Sequence, residues 1–350
     1  MGRDERKYWS GISPFMGEHL MDVARRCEEQ GLHGIYAGQH FGPPWLPLAA
    51  AAAVTRHLQL ASGIAIAGAR SPLETAMAAL DLDRISGGRF VLGLGTSTKW
   101  VTRELFGASD YPPLEHLRET VAVVRHIVRG AHRGLEPFRG KWFRSEFPGF
   151  PLQPPPVREA IPIWMGALGS TATAVAGEIA DGIIGHPLWG VDWWLGRVQE
   201  DLREGLERTG RKLANLHRCV YLTVLVNPKR EEALRDARRH VVAYAGLEQY
   251  TSFFETQGFG EPVRRIQRLL RDGQQDAALR LVPEAMLRAL AVAGTPDDAC
   301  AEVERAWAVA ESMVLAPPIW GVSLECSAAY EKAIAETFYG SRSAGPPDRQ

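Results

Sequence analysis

The residues best able to do chemistry sit where short apolar runs end. One run closes in Gly38-Gln39-His40-Phe41, and a histidine placed there is able to exchange a proton near neutral pH. A loop histidine with no role fits the same residues. A second run closes in Gly93-Leu94-Gly95-Thr96-Ser97-Thr98, which has the outline of a phosphate-cradling glycine loop. That match fails: a dinucleotide fingerprint needs a third glycine and a helix opening at once, whereas Thr98 holds that place and the next helical pattern starts after Pro112-Pro113. These glycines serve either cofactor contact or tight backbone packing. Gly166-Ala167-Leu168-Gly169-Ser170, ahead of an alanine-rich segment running to Ala180, has better anion logic. Small residues admit a ligand to the backbone, and the free N–H groups and positive dipole of a helix start attract phosphate. A plain turn capped by Ser170 or Thr171 is the alternative. In Ser62-Gly63-Ile64, glycine near a strand end marks close backbone approach or an unusual peptide conformation. Arg70, just beyond, fits a simple ion pair. No HExxH, GxSxG, Walker A or paired His/Cys spacing occurs, which disfavours metal-hydrolase, serine-esterase and nucleotide-hydrolase chemistry. With few strong nucleophiles, the chain points to a borrowed redox cofactor.

The elements that must position these residues alternate. Strand-like runs fall at Tyr8 to Ser13, Gly34 to Ala37, Leu58 to Ile66, Phe90 to Leu94, Ile161 to Trp164, Gly182 to Ile184, Cys219 to Val226 and Met313 to Leu315. Amphipathic segments separate them: Met16 to Gln30, Ser71 to Ile85, Leu114 to Arg129, Ser170 to Ala180, Trp194 to Thr209, Arg230 to Ala245 and Asp297 to Ala310. Alternation of this kind predicts a parallel sheet covered by helices, and eight units in one chain favour closure into an α/β (β/α)8 TIM barrel. Function then belongs at the C-terminal ends of the strands. One domain is expected over residues 1–340, with insertions at about 130–160 and 247–290 shaping the mouth, and a flexible tail at 341–350. A hairpin is expected at Phe138 to Phe143.

Composition narrows the partners. The formal net charge is -1, so no broad basic field collects nucleic acid or an anionic membrane. Cys27, Cys219, Cys300 and Cys326 are far apart with no CxxC pair, which fits reduced thiols in a cytoplasm. No apolar run approaches the roughly 18 residues of a membrane span.

The series Arg84-Ile85-Ser86-Gly87-Gly88-Arg89-Phe90-Val91-Leu92-Gly93-Leu94-Gly95 resembles the signature of the bacterial luciferase-like superfamily of flavin and deazaflavin enzymes. The likeness covers nearly the whole chain, through Glu29-Gln30-Gly31, Ala53-Val54-Thr55, Arg70-Ser71-Pro72, Ala176 to Gly182 and Gly294-Thr295-Pro296-Asp297-Asp298. Ala65 to Pro72, Lys99 and His186-Pro187 are most similar to actinobacterial oxidoreductases that use coenzyme F420.

The resemblance implies a non-prolyl cis peptide at Gly63-Ile64 behind the middle of the cofactor ring, with Ser62 at its edge. It implies that Gln39 and His40 face the ring, that Thr96, Ser97 and Thr98 flank it, and that Gly166, Ala167, Leu168, Gly169 and Ser170 hold the phosphate. His40 takes the proton-handling role. Trp45, Lys99 and His186 would border the substrate. Gln39 and Thr98 stand where F420-dependent glucose-6-phosphate dehydrogenases carry aspartate and glutamate, which argues against that sugar phosphate. Trp142, Phe143, Phe147, Phe150, Trp189, Trp193 and Trp194 suggest an apolar small-molecule or natural-product substrate, or else packing of the insertions. The expected activity is F420-dependent hydride transfer. A reduced-FMN-dependent monooxygenase and a non-catalytic ligand-binding barrel are the alternatives, and a homodimer is the expected assembly.

Overall fold

The computed structural model describes residues 6–39 and 41–340. His40 and the tail expected at 341–350 lie outside the described residues. The strands are β1 (Tyr8–Ile12), β2 (Gly34–Ala37), β3 (Gln59–Ser62), β4 (Ala65–Ile66), β5 (Phe90–Gly95), β6 (Phe138–Arg139), β7 (Arg144–Ser145), β8 (Ile163–Gly166), β9 (Gly182–Ile184), β10 (His217–Val226), β11 (Val292–Gly294) and β12 (Ser312–Ala316). The helices are α1 (Leu20–Glu29), α2 (Trp45–Val54), α3 (Pro72–Ser86), α4 (Pro113–Gly130), α5 (Ser170–Ile179), α6 (Val191–Leu195), α7 (Arg197–Arg208), α8 (Arg230–Ala245), α9 (Thr251–Thr256), α10 (Gly260–Arg271), α11 (Gln275–Arg280), α12 (Glu284–Leu290), α13 (Pro296–Ala306) and α14 (Leu324–Ile334).

Parallel pairing runs β1-β2-β3-β5-β8-β9-β10-β12 and returns to β1, which closes the expected (β/α)8 barrel. β4 continues the line of β3 against β5, and β6 and β7 form the expected hairpin. Side chains alternate along each strand. Trp9, Ala61, Val91, Trp164, Ile184, Cys219, Val314 and Ala316 therefore turn inward as one buried cluster, with Tyr36, Ile64 and Tyr221 packed on it. At the N-terminal end the Trp9 and Trp164 rings meet edge-on, 5.3 Å apart. Gly34 and Gly182 make room for them, since a Cβ on either would lie 2.5 Å from an indole. His217 stacks on Trp164 at 4.6 Å and shares a 2.7 Å hydrogen bond with Ser312 Oγ. Burial pushes His33 and His217 down to about 4. Higher in the barrel, the Tyr36 and Tyr221 hydroxyls lie 3.2 Å apart.

The first half of the signature, Arg84 to Arg89, proves to be a structural clamp at the end of the barrel opposite the mouth, while its second half is β5, which runs up to the mouth. Ser71 caps α3 by accepting the Glu74 N–H at 3.1 Å, and Gly87, at φ 65°, ends it in the left-handed conformation that glycine supplies. Arg89 then donates to the carbonyls of Ser86 (2.6 Å), Leu58 (2.7 Å), Thr55 (3.0 Å) and Ala52 (3.2 Å). One guanidinium thus joins the end of α2, the approach to β3 and the end of α3. Across the ring, α5 and α7 pack closely because a Cβ on Gly177 would lie 2.6 Å from the Leu202 carbonyl oxygen, and one on Gly205 would overlap that of Ala174.

Three elements were not expected from sequence: α2, α14 and β11. α2 reads Trp-Leu-Pro-Leu-Ala-Ala-Ala-Ala-Ala-Val, with no polar stripe to set a helical period. The helix expected from Trp194 to Thr209 breaks at Gly196 into α6 and α7. Of the two readings open for the mouth-loop aromatic residues, substrate wall or packing, most of them follow the second. Trp189 and Trp194 are wholly buried and cross at 5.1 Å. Phe143, Phe147 and Phe150 pack with Phe138 and with His126 of α4, joining the insertion to the main core. Trp193 meets Phe253 at 5.4 Å. The second insertion forms α9 to α12 and folds onto the loop after β9, where the Gly190 N–H donates to the Ala289 carbonyl at 3.0 Å.

Candidate active site

The end of β3 departs from a regular strand. Ser62 is fully buried, and its hydroxyl both donates to the Gly93 carbonyl and accepts the Gly93 N–H, each at 2.8 Å. Its side chain is thereby committed to the scaffold. The next peptide, Gly63-Ile64, is cis, as the resemblance implies. The Ile64 carbonyl accepts the Gln39 N–H at 3.0 Å, which joins the ends of β2 and β3. Beneath, the Ile64 side chain fills a seat shaped by missing side chains. A Cβ on Gly95 would come 2.9 Å from Ile64 Cδ1, and one on Gly166 would come 2.9 Å from Cγ2. Gly38 belongs to the same floor, 3.2 Å from the Gly63 carbonyl oxygen by the same measure. The outcome is a flat, half-buried surface at the C-terminal ends of β2, β3, β5 and β8.

Beside this floor lies a group of hydrogen-bond donors. Gln39 Oε1 accepts from the Ile66 N–H at 2.9 Å and from Arg70 Nη2 at 3.0 Å. Arg70 also pairs with Glu74 through Nε at 3.0 Å and lies over the Trp45 ring at 5.3 Å. Trp45, expected as an open pocket wall, is instead buried at the start of α2 with its edge toward Phe90. Gln39 Nε2, Arg70 Nη1, Trp45 Nε1 and the Tyr111 hydroxyl are buried and have no partner. His40, the expected proton carrier, lies outside the described residues. The ion pair expected of Arg70 is present with Glu74, but its place in this donor group, like that of Tyr111, was not legible in the sequence. The orphaned state of their polar atoms is a tertiary property with no local signature.

Thr96, Ser97 and Thr98 follow β5, with Ser97 at φ 56° and Thr98 Oγ1 accepting the Val101 N–H at 3.3 Å. A single π-helical turn, Val101–Leu105, comes next. Lys99 is exposed. At the end of β8, Gly169 is the N-cap of α5, and no side chain caps that helix, so neither Ser170 nor Thr171 serves as expected in the plain-turn reading. The α5 start keeps its positive dipole end unsatisfied by any side chain. Arg197 Nε donates to Ser170 Oγ at 2.9 Å, bringing a guanidinium to the same place. The Ala167 side chain is buried, while Leu168 gives its carbonyl to Trp189 Nε1 at 2.9 Å. His186 follows β9, with its ring 5.6 Å from Tyr250 and its Nδ1 accepting the Leu188 N–H at 3.2 Å. Burial pushes it down to about 3, so it stays neutral, and Nε2 carries the ring proton.

A cavity of about 400 Å³ opens elsewhere, between α4, α5 and the entry to β8, at the N-terminal end of the barrel. Its Arg125 is paired with Asp181 and its Glu178 with Arg118 and Arg208, and it lies away from every residue above. Among the described residues, no group of three or more His, Cys, Asp or Glu is placed to hold a metal ion, and no helix is long and apolar enough to cross a membrane.

A glycine floor across four strand ends, donors at its edge and an uncapped helix start beyond it lie together at the mouth of the β/α barrel. The chain belongs to the luciferase-like monooxygenase family, whose model matches residues 10–311. It is 28% identical over 309 residues to a putative coenzyme F420-dependent oxidoreductase of Mycobacterium tuberculosis, covering 83% of this chain and 87% of that one. Among solved structures, the coenzyme F420 dependent tetrahydromethanopterin reductase of Methanopyrus kandleri superposes with a TM-score of 0.76 at 24% identity, covering 96% of this chain and 97% of that chain. The FMN complex of the oxygenating constituent of 3,6-diketocamphane monooxygenase from Pseudomonas putida superposes with a TM-score of 0.66 at 17% identity, covering 96% and 99%. These superpositions bear on the fold.

Proposed function

We propose that the chain is an F420-dependent oxidoreductase that moves a hydride between the deazaflavin ring and an organic metabolite, reducing a C=C or C=N bond or oxidising an alcohol. One observation carries this reading: the Ile64 seat, the buried Gln39 donor and the uncapped α5 start share a single rim. They fit, in turn, the flat face, the acceptor atoms and the phosphate of such a cofactor. The relative from Mycobacterium tuberculosis, by its name, supports the same choice. Bound F420 would supply a carbon hydride carrier in place of flavin's oxygen-reactive nitrogen.

The chain's own residues do the rest. Gln39 Nε2 offers a donor to the ring edge, and Thr96 to Thr98 border it. The N–H groups from Gly166 to Ser170, with Arg197 beside them, hold the phosphate. His40 holds or releases the balancing proton at its imidazole. Neutral His186 offers a donor, and Lys99 borders the substrate. The protein is further proposed to act in the cytoplasm, on a small-molecule or natural-product substrate, as a homodimer without nucleic-acid or membrane partners. Sedimentation tests the assembly.

Titration of the apo-protein with F420 and with FMN, followed by fluorescence, tests the cofactor. Tight F420 and weak FMN binding is expected. Tight FMN with negligible F420 binding overturns the proposal in favour of a reduced-FMN monooxygenase. Binding of neither leaves a non-catalytic barrel.

A further inference from the structure

We propose that Arg70 reads a carboxylate on the substrate, which would be an organic acid with a bulky apolar body. This deepens the oxidoreductase reading and rests on it for the substrate's identity as a reactant.

The guanidinium is held on three sides. Its Nε pairs with Glu74, its Nη2 donates to Gln39 Oε1 and its face lies on Trp45, with the side chain only 12% exposed. Only Nη1 is left, buried and without an acceptor. The neighbouring orphans point the same way. Gln39 Nε2 is given to the cofactor, but Trp45 Nε1 is a pure donor, and the Tyr111 hydroxyl, fixed by stacking on His116 at 4.0 Å, is able to donate. The only carboxylate in the group, Glu74, is half exposed and already engaged. The cluster therefore has a surplus of donors, and the missing partner is an acceptor. A buried donor without an acceptor is unfavourable, and the cost is recovered most fully when a charged oxygen arrives.

A single remaining nitrogen, with two N–H donors, on an arginine already paired with Glu74 suits a monoanionic carboxylate better than a phosphate, for which the start of α5 is the better seat. The body of the ligand is indicated by the rim. Phe15, Phe41, Trp100 and Trp320 stand 78%, 72%, 59% and 49% exposed on loops that follow β1, β2, β5 and β12. Exposed apolar surface gathered around one opening marks a contact surface for an apolar partner.

Cinnamate and cinnamamide, an acid and its neutral isostere, provide the probe. Calorimetric titration of the free and the F420-loaded protein is expected to show cinnamate binding about tenfold more tightly than the amide. Arg70→Gln should erase that preference. Glu74→Gln, which removes the competing carboxylate from a half-exposed position, should widen it severalfold. Equal binding of acid and amide, no cinnamate binding at millimolar concentration, or a preference that survives Arg70→Gln would overturn the proposal. If Arg70→Gln fails to fold, an acid preference unchanged by Glu74→Gln overturns it. F420 titration is read separately: loss of F420 binding with the acid preference intact removes the cofactor assignment and leaves the carboxylate site.

Discussion

The seat of Ile64 gives a prediction that separates a cofactor floor from ordinary packing. In Gly166→Ala the new methyl group would lie 2.9 Å from Cγ2 and 3.5 Å from Cγ1 of Ile64, whereas carbon atoms pack at about 3.5–4.0 Å. The shortfall is thus about 0.6–1 Å at the nearer atom. Ile64 is β-branched, so its χ1 cannot swing to absorb the overlap. The side chain must rise toward the mouth, or β8 must move outward. Overpacking of this size costs about 1–3 kcal/mol, and if Ile64 supports the cofactor, about tenfold or more in F420 affinity follows. Urea unfolding reads the first quantity and fluorescence titration with F420 the second. Ile64→Ala removes both clashing atoms, so the double variant should regain affinity relative to Gly166→Ala, with a coupling of about 1–2 kcal/mol. Wild-type stability and affinity in Gly166→Ala, or a double variant no better than the single one, would refute the seat.

Three further outcomes are expected. His217 is neutral in the fold at about 4, against an ordinary value of 6.5. The unfolded chain therefore binds the extra proton, and stability should fall as pH drops from 6.5 toward 4, by about 1.4 kcal/mol per pH unit for this one histidine. Urea unfolding across that window should show a shallower slope in His217→Asn, and an identical slope counts against the buried-neutral assignment. Arg89→Met strands the carbonyls of Ser86, Leu58, Thr55 and Ala52 at the foot of the barrel, at a cost of about 3–5 kcal/mol. Its thermal midpoint should drop sharply while F420 affinity in the folded protein stays unchanged; a matching loss of affinity would contradict a purely structural clamp. His40→Ala should lower turnover far more than cofactor affinity if proton transfer is its work, and unchanged kcat would remove it from the mechanism.

What the sequence alone determined was local or periodic. Alternating strand and helix patterns specify a parallel sheet, because parallel neighbours require crossovers, and the count of eight units favours its closure. The cis bond at Gly63-Ile64 and the breadth of the family likeness follow from ordered motifs rather than from any one residue. Tertiary structure decided which side chains face which space. It gave the two halves of the family signature different work, Arg84 to Arg89 as a clamp at the far end of the barrel and Gly95 as part of the floor at the mouth. It buried Trp189 and Trp194, while leaving Phe15, Phe41, Trp100 and Trp320 on the rim. It also supplied α2, whose uniformly apolar sequence has no polar face to reveal its period. Only the packed chain showed the surplus of donors at Gln39 and Arg70. Hydrogen-bond satisfaction is a property of neighbours brought together from distant parts of the chain, so no spacing of residues along the sequence records it.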